Sequence, residues 1–311
     1  DFGTAELTLL GASPKAAEQL EYWKKTLSGA GEFRFPTDRP RQADAPPEAG
    51  HVRVDLEAGF TANLRKLSQQ AGVTLFMTLA AGYAHLVKIL GGVDDLCIGT
   101  VASGRPGERF DETLGMFVNT LALRFSSAQG QSVLDYLRQA RETCLGAYSH
   151  QDIPFELLAS QGFGSLIQTM ITYENADSRE LQLGSCAMEQ IKADIPGSMF
   201  ACSLDIIETG GVLHLDFEYD ANAITEETAR RWASWFRKIL ESFMAKPGEP
   251  LREARPFDLA EEKAVLGFGR GKESAIPSAC LHEIFAEQAA ANPALTAIIL
   301  SLIHISQGIV R

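Results

Sequence analysis

The chain has 311 residues, a net charge of −12, and 45% hydrophobic against 22% charged residues. That length is one large domain or two ordinary ones, with a substantial core, and the composition is not that of a disordered or fibrous chain. The acidic balance excludes a nucleic-acid footprint over the whole chain, and no apolar run reaches the ~18 residues that span a membrane, so neither partner is expected.

The predicted elements alternate between helix and strand. Apolar Leu20, Trp23 and Leu27 at helical spacing predict a helix over Ala16–Leu27. A Pro-rich connector from Phe35 to Pro47 breaks regular structure. His51–Leu56 alternates as a strand; Phe60–Gln70 and Val73–Leu90 read as helices, the second stopped by Gly91-Gly92. Asp95–Val101 and Phe117–Phe125 read as buried strands, and Ser132–Tyr148 as a helix. Thr169–Tyr173, Gln190–Ala193, Cys202–Ile207 and Val212–Tyr219 read as strands, the last two joined by a turn at Glu208-Thr209-Gly210-Gly211. A helix with Thr225 as N-cap runs from Glu226 to Met244, residues 246–275 read as a linker, and a new helical pattern starts at Leu281. Helices mixed with hairpins predict an α/β or α+β sandwich.

Five cysteines without a CxxC pair read as reduced thiols of a cytoplasmic protein, with no metal-ligand spacing. The ends look cut. Asp1 is not a start, and residues 1–14 read as the end of an upstream lobe or connector. Leu300–Ile305 back-translates as CTG TCT CTT ATA CAC ATC, which resembles a DNA-library adapter read in frame, so residues 301–311 are set aside as an artefact.

Three polar clusters interrupt apolar text. In His150-Gln151-Asp152-Ile153-Pro154-Phe155-Glu156, His150 is a possible acid or base; the competing reading is a loop in which Asp152 caps a helix over 153–158 and Phe155 anchors it. A lone His beside an Asp is common, which favours the architectural reading. Gly99-Thr100-Val101-Ala102-Ser103-Gly104-Arg105 leaves a strand into a loop where Ser103 and Arg105 face either a ligand or ordinary surface partners; it lacks a P-loop's Gly-Lys-Ser/Thr ending. Asn119-Thr120 breaks the apolar strand after Gly115 and Phe117, and is either hydrogen-bonded structure or ligand contact.

Together these clusters resemble the condensation domains of nonribosomal peptide synthetases. Leu114–Arg124 resembles their (I/V/L)GxFVNTxxxR motif, His150–Glu156 their HQDxPFE motif, and Asp94–Arg105 their DDxxxGTxxxGR stretch. Glu21-Tyr22-Trp23-Lys24 and Pro36-Thr37-Asp38-Arg39-Pro40 resemble the family's YW helix and PTDRP connector. The likeness covers about residues 15–257. Leu281-His282-Glu283-Ile284-Phe285 further resembles the opening of an adenylation domain over 276–300.

The resemblance implies an α/β, chloramphenicol-acetyltransferase-like sandwich, with residues 15–245 as its C-terminal lobe only. It implies amide-bond formation between two acyl groups held as phosphopantetheine thioesters on upstream and downstream carrier domains. An N-terminal lobe and an adenylation domain, the latter using ATP and Mg, are the other implied partners; the chain itself is expected to bind no cofactor. The family's HHxxxDG motif has no counterpart among the isolated histidines, so no catalytic residue is assigned. Epimerization-type and non-catalytic carrier-docking domains of the same fold are the alternatives. Ser103, Arg105, Asn119 and Thr120 are expected to line the substrate tunnel. Gly99, Gly104, Gly115, Phe117, His150, Gln151, Asp152, Pro154 and Phe155 are expected to shape it. Gln161–Gln168 departs from the family's RDxSRNPLFQ-like stretch, being shorter and lacking the Arg. A lobe cut from its partner should expose apolar surface near Gly99–Arg105 and Asn119–Leu123. Leu281, Ile284, Phe285, Ile298 and Ile299 should likewise lack a core.

Overall fold

The computed structural model describes residues 14–40, 46–104, 114–175, 182–183, 186–187, 197–257, 259–269, 271, 278–294, 296–300 and 303–306. The expected strand at Gln190–Ala193 and Arg105 lie outside them. The chain divides into two compact units, Asp1–Phe257 and Asp258–Arg311.

The first unit is built on a six-stranded mixed sheet. Its strands are β1 (Ala49–Leu56), β2 (Asp95–Ala102), β3 (Asn119–Ser126), β4 (Ile167–Asn175), β7 (Cys202–Thr209) and β8 (Val212–Asp220), in the order β1-β8-β7-β4-β2-β3. A separate two-residue pair, β5 (Gln182–Leu183) and β6 (Cys186–Ala187), lies between β4 and β7 in sequence. Pairing is parallel at β7–β4 and β4–β2 and antiparallel elsewhere in the sheet. The β7–β8 turn is made by Gly210 and Gly211, with φ of 58° and 80°. Both central residues of such a tight hairpin need the left-handed region, which glycine enters without a Cβ clash.

Strand β7 alternates buried Cys202, Leu204 and Ile206 with exposed or half-buried Ser203, Asp205 and Ile207, so one face is covered. Helix α1 (Pro14–Leu27) opens the described chain, and its Trp23 and Leu27 are buried as the spacing predicts. Helices α2 (Ala58–Ala71), α3 (Leu75–Gly91), α4 (Val133–Ser149) and α6 (Glu226–Ala245) pack with the sheet. Tyr83 of α3 joins the layers, its ring meeting Phe217 of β8 and Phe236 of α6 edge-on. Its hydroxyl lies 2.6 Å from Thr169 Oγ1, which donates to the Cys202 carbonyl at 2.6 Å, so this buried polar chain is satisfied. The buried thiols Cys97, Cys144 and Cys202 are pushed up to about 12 by desolvation and are inert.

The helix ends follow their cap residues. Thr74, Ser132 and Thr225 accept from the backbone N–H of Met77, Asp135 and Thr228. Asp38 of the Pro-rich connector adds a second cap to α6, its carboxylate accepting from Thr225 N at 2.8 Å and from the Thr225 and Thr228 hydroxyls. Those bonds hold the Asp38 carboxyl below its usual range, although burial pulls the other way.

Residues 246–257 belong to the first unit and strap across the start of α4. Val133 N donates to Glu249 O and Leu251 N to Gln131 O, while His85 Nε2 donates to Ala254 O at 3.0 Å. In the second unit, Leu259–Phe268 forms helix α7 inside the stretch expected to be linker; its apolar residues are spread around the helix, with little one-sided pattern to signal it. Helix α8 (Leu281–Ala291) has no buried residue, and Leu281 and Phe285 are exposed. Ile298 and Ile299 lie in β9 (Thr296–Leu300), which pairs with β10 (Ile303–Ser306), so part of the segment set aside as an artefact still forms a strand. Its Ile-rich text favours extended backbone whatever its origin. Among the described residues no single helix is long and apolar enough to cross a membrane.

Candidate functional site

At the β2–β3 end of the sheet the polar clusters are wired to one another through helix α1. Asn119 begins β3. Its Nδ2 donates to the carbonyls of Gln151 at 2.7 Å and Ile153 at 2.8 Å, and its Oδ1 accepts from Phe155 N at 3.1 Å. One amide thus satisfies three backbone groups of the loop that starts helix α5 (Phe155–Leu158). Of the two readings open in the sequence, hydrogen-bonded structure is the one this geometry satisfies.

The loop is held from the other side by α1. Gln19, 4% exposed, donates to Asp152 Oδ2 at 2.8 Å and accepts from Asp152 N at 3.1 Å. Lys15 Nζ pairs with the same carboxylate at 2.8 Å. The Lys15 hydrogen bond, helped by Gln19 and opposed by burial, holds the Asp152 carboxyl below its usual range. Trp23 Nε1 donates to the His150 carbonyl at 2.8 Å, and the His150 ring stacks on Tyr22 with centroids 3.7 Å apart and planes 4° from parallel.

Asp152 therefore does not cap the helix, contrary to the expectation. Pro154 occupies the N-cap position with no side-chain cap bond, and the Phe155 amide is taken by Asn119. The physical reason is reach: helix α1 passes beside Asp152 and offers it Lys15 and Gln19, while the Phe155 amide is already taken by Asn119. His150 Nδ1 lies 2.7 Å from the Gly146 carbonyl, which can only accept, so that nitrogen carries the proton. His150 is bound as architecture. Phe155 is half-buried against the core, as expected of an anchor.

A second clasp joins the remaining motif ends. Arg124 donates Nε to Asp95 Oδ1 at 2.9 Å and an Nη to Asp95 Oδ2 at 2.6 Å. Its other Nη donates to the carbonyls of Thr26 and Ser28, at the end of α1. The planar guanidinium serves a carboxylate and a helix C-terminus together, which a lysine does not.

Beyond the clasp, Ser103 is exposed and Thr120 half-buried, paired in register with Val101. Gly104, at φ 63°, packs against the Phe117 carbonyl where a Cβ would overlap it. Gly99 is closed in by Met170 and Ile167, where β2 and β4 break register. Around them Val101, Leu114, Met116 and Val118 are 38%, 99%, 93% and 55% exposed. Leu121, Ala122 and Leu123 are buried, as are Gly99 and Thr100. The expected apolar surface thus sits at 101 and 114–118 rather than along 119–123, since β3 turns into the core after Thr120. Among the described residues no group of three or more His, Cys, Asp or Glu could hold a metal. The sequence reading missed Lys15, Gln19 and the partners of Tyr22 and Trp23; a glutamine on the apolar face of α1 is the signal that could have found the clasp.

A condensation-domain family model matches residues 7–266. The chain belongs to the condensation-domain family. It is 33% identical over 257 residues to a plipastatin synthase protein of Bacillus subtilis (strain 168), covering 80% of this chain and 7% of that protein. It is 30% identical over 281 residues to surfactin synthase subunit 1 of the same organism, covering 88% and 8%. The chain thus spans less than a tenth of these relatives. Among solved structures it resembles the X-domain from teicoplanin biosynthesis, with TM-score 0.71 and 20% identity over 81% of this chain and 60% of that one. The condensation domain from the monacolin K polyketide synthase MokA gives 0.69 and 19% over 81% and 62%. These likenesses establish the chloramphenicol-acetyltransferase-like fold, and peptide-bond formation is the function of the family in nonribosomal peptide synthetases.

Proposed function

We propose that this chain is the C-terminal lobe of a peptide-bond-forming condensation domain, and that a preceding lobe supplies the HHxxxDG base. The observation that carries it is the exposure of the apolar Val101, Leu114, Met116 and Val118 close in sequence to Ser103 and Thr120, at the end braced by the clasp. Large exposed apolar side chains gathered in one motif suit a covered surface, and tunnel walls need rigid support. That the chain covers 60–62% of two single-domain neighbours supports a missing part of the same domain.

In this reading Ser103 and Thr120 face the tunnel, while Asn119 acts on it through the loop it ties. The downstream amine attacks the upstream thioester, both delivered on phosphopantetheine arms of carrier domains. An adenylation domain begins within the second unit, and ATP and Mg belong to that domain's chemistry. Loss of a positioned base removes a factor of about 10²–10⁴. The chain alone, supplied with loaded carriers, is therefore expected to form no amide, and the chain extended by the upstream lobe is expected to form it. Amide formation by the chain alone, or an inactive extended protein with loaded carriers, overturns the reading.

The shortened Gln161–Gln168 segment favours a second reading, a domain of this fold that docks partners without catalysis. It forms a π-helical turn (Ala159–Phe163) and a 3-10 turn (Gly164–Leu166) directly before β4. Carrier binding by the extended protein without amide formation is the result that selects it.

A further inference from the structure

One row of residues crosses all six strands of the sheet. Thr120 of β3 is paired with Val101 of β2, Thr172 of β4 with Asp205 of β7, Asp205 with Asp216 of β8, and Asp216 with Arg53 of β1. Val101 and Thr172 complete the row, each two residues past the paired Gly99 and Met170. Side chains alternate between faces along a strand, and paired residues share a face. Phe217 meets Tyr83 of α3, so its neighbour Asp216, and with it the row, lies on the face turned away from that helix.

Charge along the row does not balance. Asp205 and Asp216 stand directly opposite each other in an antiparallel pair, a placing that costs stability unless the charges are answered. Asp216 is answered: His51 Nδ1 lies 3.1 Å from its Oδ1, and Arg53 Nε donates to its Oδ2 at 3.3 Å. Asp205 is half-buried, and its Oδ1 accepts from Thr172 Oγ1 at 2.6 Å, which orients the carboxylate. Among the described residues Asp205 makes no ion pair. A partly desolvated carboxylate, held by a hydroxyl and facing a second carboxylate, favours a cation beside it.

Position selects which cation. The row begins at Thr120 and Val101, close in sequence to Ser103, where the tunnel wall is proposed. Strands are spaced about 4.8 Å apart, so Asp205, two strands on from Val101, lies about 10 Å along the row from that end. The α-amine of the downstream acyl group attacks the thioester as the free base, so it is not the cation held at Asp205. A basic side chain is: an amine or guanidine on an aliphatic stem, together with the side chain of Asp205, spans that gap. Val101 and Ile207, the latter two residues past Asp205 on the same face, are each 38% exposed and offer apolar contact to such a stem.

We propose that Asp205 is a specificity-determining residue of the condensation reaction, its carboxylate pairing with the cationic side chain of one of the two carrier-bound acyl groups. This rests on the condensation reading above, and the test separates the two. The chain extended by its upstream lobe is supplied with carriers loaded with lysyl or norleucyl groups, which share a stem and differ in the ammonium, first on the upstream carrier and then on the downstream one. The readout is the ratio of amide-forming rates for the two groups, so a general loss of activity cancels. The unsubstituted protein is expected to favour lysyl by about tenfold or more at one of the two positions, which names the acyl group that Asp205 reads. Asp205→Asn is expected to bring the ratio to within about twofold of unity, and Thr172→Val, which releases the carboxylate from its orienting hydroxyl, to lower it part-way. A ratio near unity at both positions in the unsubstituted protein overturns the proposal, and so does a lysyl preference that survives in Asp205→Asn. If Asp205→Asn does not fold, a preference undiminished in Thr172→Val overturns it instead. Absence of amide from every loaded pair overturns the condensation reading and this proposal with it, whereas amide formed without a lysyl preference overturns the role of Asp205 alone.

Discussion

On the β7–β8 side of the sheet, Leu204, Ile206, Leu215 and Phe217 are buried in the core, Phe217 meeting Tyr83 of α3 and Phe236 of α6, and β7 follows simple alternation. At the β2–β3 end, Asn119, Arg124, Asp95, Gln19, Trp23 and His150 hold the chain by directed bonds between segments up to 133 residues apart. The first region tolerates changes that keep volume; the second depends on particular atoms meeting. A region that must hold strand-end loops in one position uses directed bonds, because apolar contact fixes distance but not orientation.

The largest expected effects compare one large side chain from each region. Phe217→Ala and Trp23→Ala should each cost about 3–5 kcal/mol in urea unfolding, since both side chains are fully buried. They separate under conservative change: Phe217→Leu should lose under about 1.5 kcal/mol. Trp23→Phe keeps most volume but strips the His150 carbonyl of its donor, and should cost about 1–3 kcal/mol. Equal losses in the two conservative variants would erase the distinction.

Asn119→Ala should cost about 2–4 kcal/mol, because it releases two carbonyls and one amide at once. Combined with Trp23→Phe, it should be non-additive by about 0.5–3 kcal/mol, while with Phe217→Leu it should add within about 0.5 kcal/mol. In the extended protein, Asn119→Ala should also lower amide formation by displacing loop 150–155, with carrier binding retained. Full activity with intact folding would detach the clasp from the tunnel.

The buried His85 of α3 has its own pH signature. His85 is held at about 4 by burial, against 6.5 when free. Between those values the unfolded chain binds a proton that the folded chain refuses, so stability falls as pH drops from about 6.5 to 4. The loss is about 3 kcal/mol, and it is absent above pH 7. An NMR titration should find the His85 ring neutral down to about pH 5; a midpoint near 6.5 refutes the assignment.

Asp152→Asn sets the lower limit. Its carboxyl is depressed mainly by Lys15, but Lys15 is largely exposed, so screening leaves the smallest effect of the series. That contribution is present above the ordinary carboxylate pKa and disappears as pH falls through the lowered folded value. It should also fade in high salt. A larger or salt-independent loss would move Asp152 among the essential members of the clasp.

Much of the architecture was readable before the structure. The helical spacing of Leu20, Trp23 and Leu27, the Thr225 cap and the Gly210-Gly211 turn each follow from local rules, and the motif order identified the family and fold. Helix α7 escaped because its ten residues carry almost no one-sided apolar periodicity to read. Asp152 was misassigned for a different reason: capping is the best local use of an aspartate before a helix, and the local rule lost to partners on α1.

By itself the sequence determined most of the described segments that become helix or strand, because periodicity and cap chemistry act over a few residues. It also marked Asn119, Asp152 and Arg124 as polar groups needing partners, since burial without a hydrogen bond is costly. Only the tertiary structure decided which partners they find. Asn119 reaches the carbonyl of Gln151, Gln19 reaches Asp152 across 133 residues, and the Lys88 ammonium meets no hydrogen-bond acceptor among the described residues. These meetings depend on how the strands order in the sheet and not on any local preference.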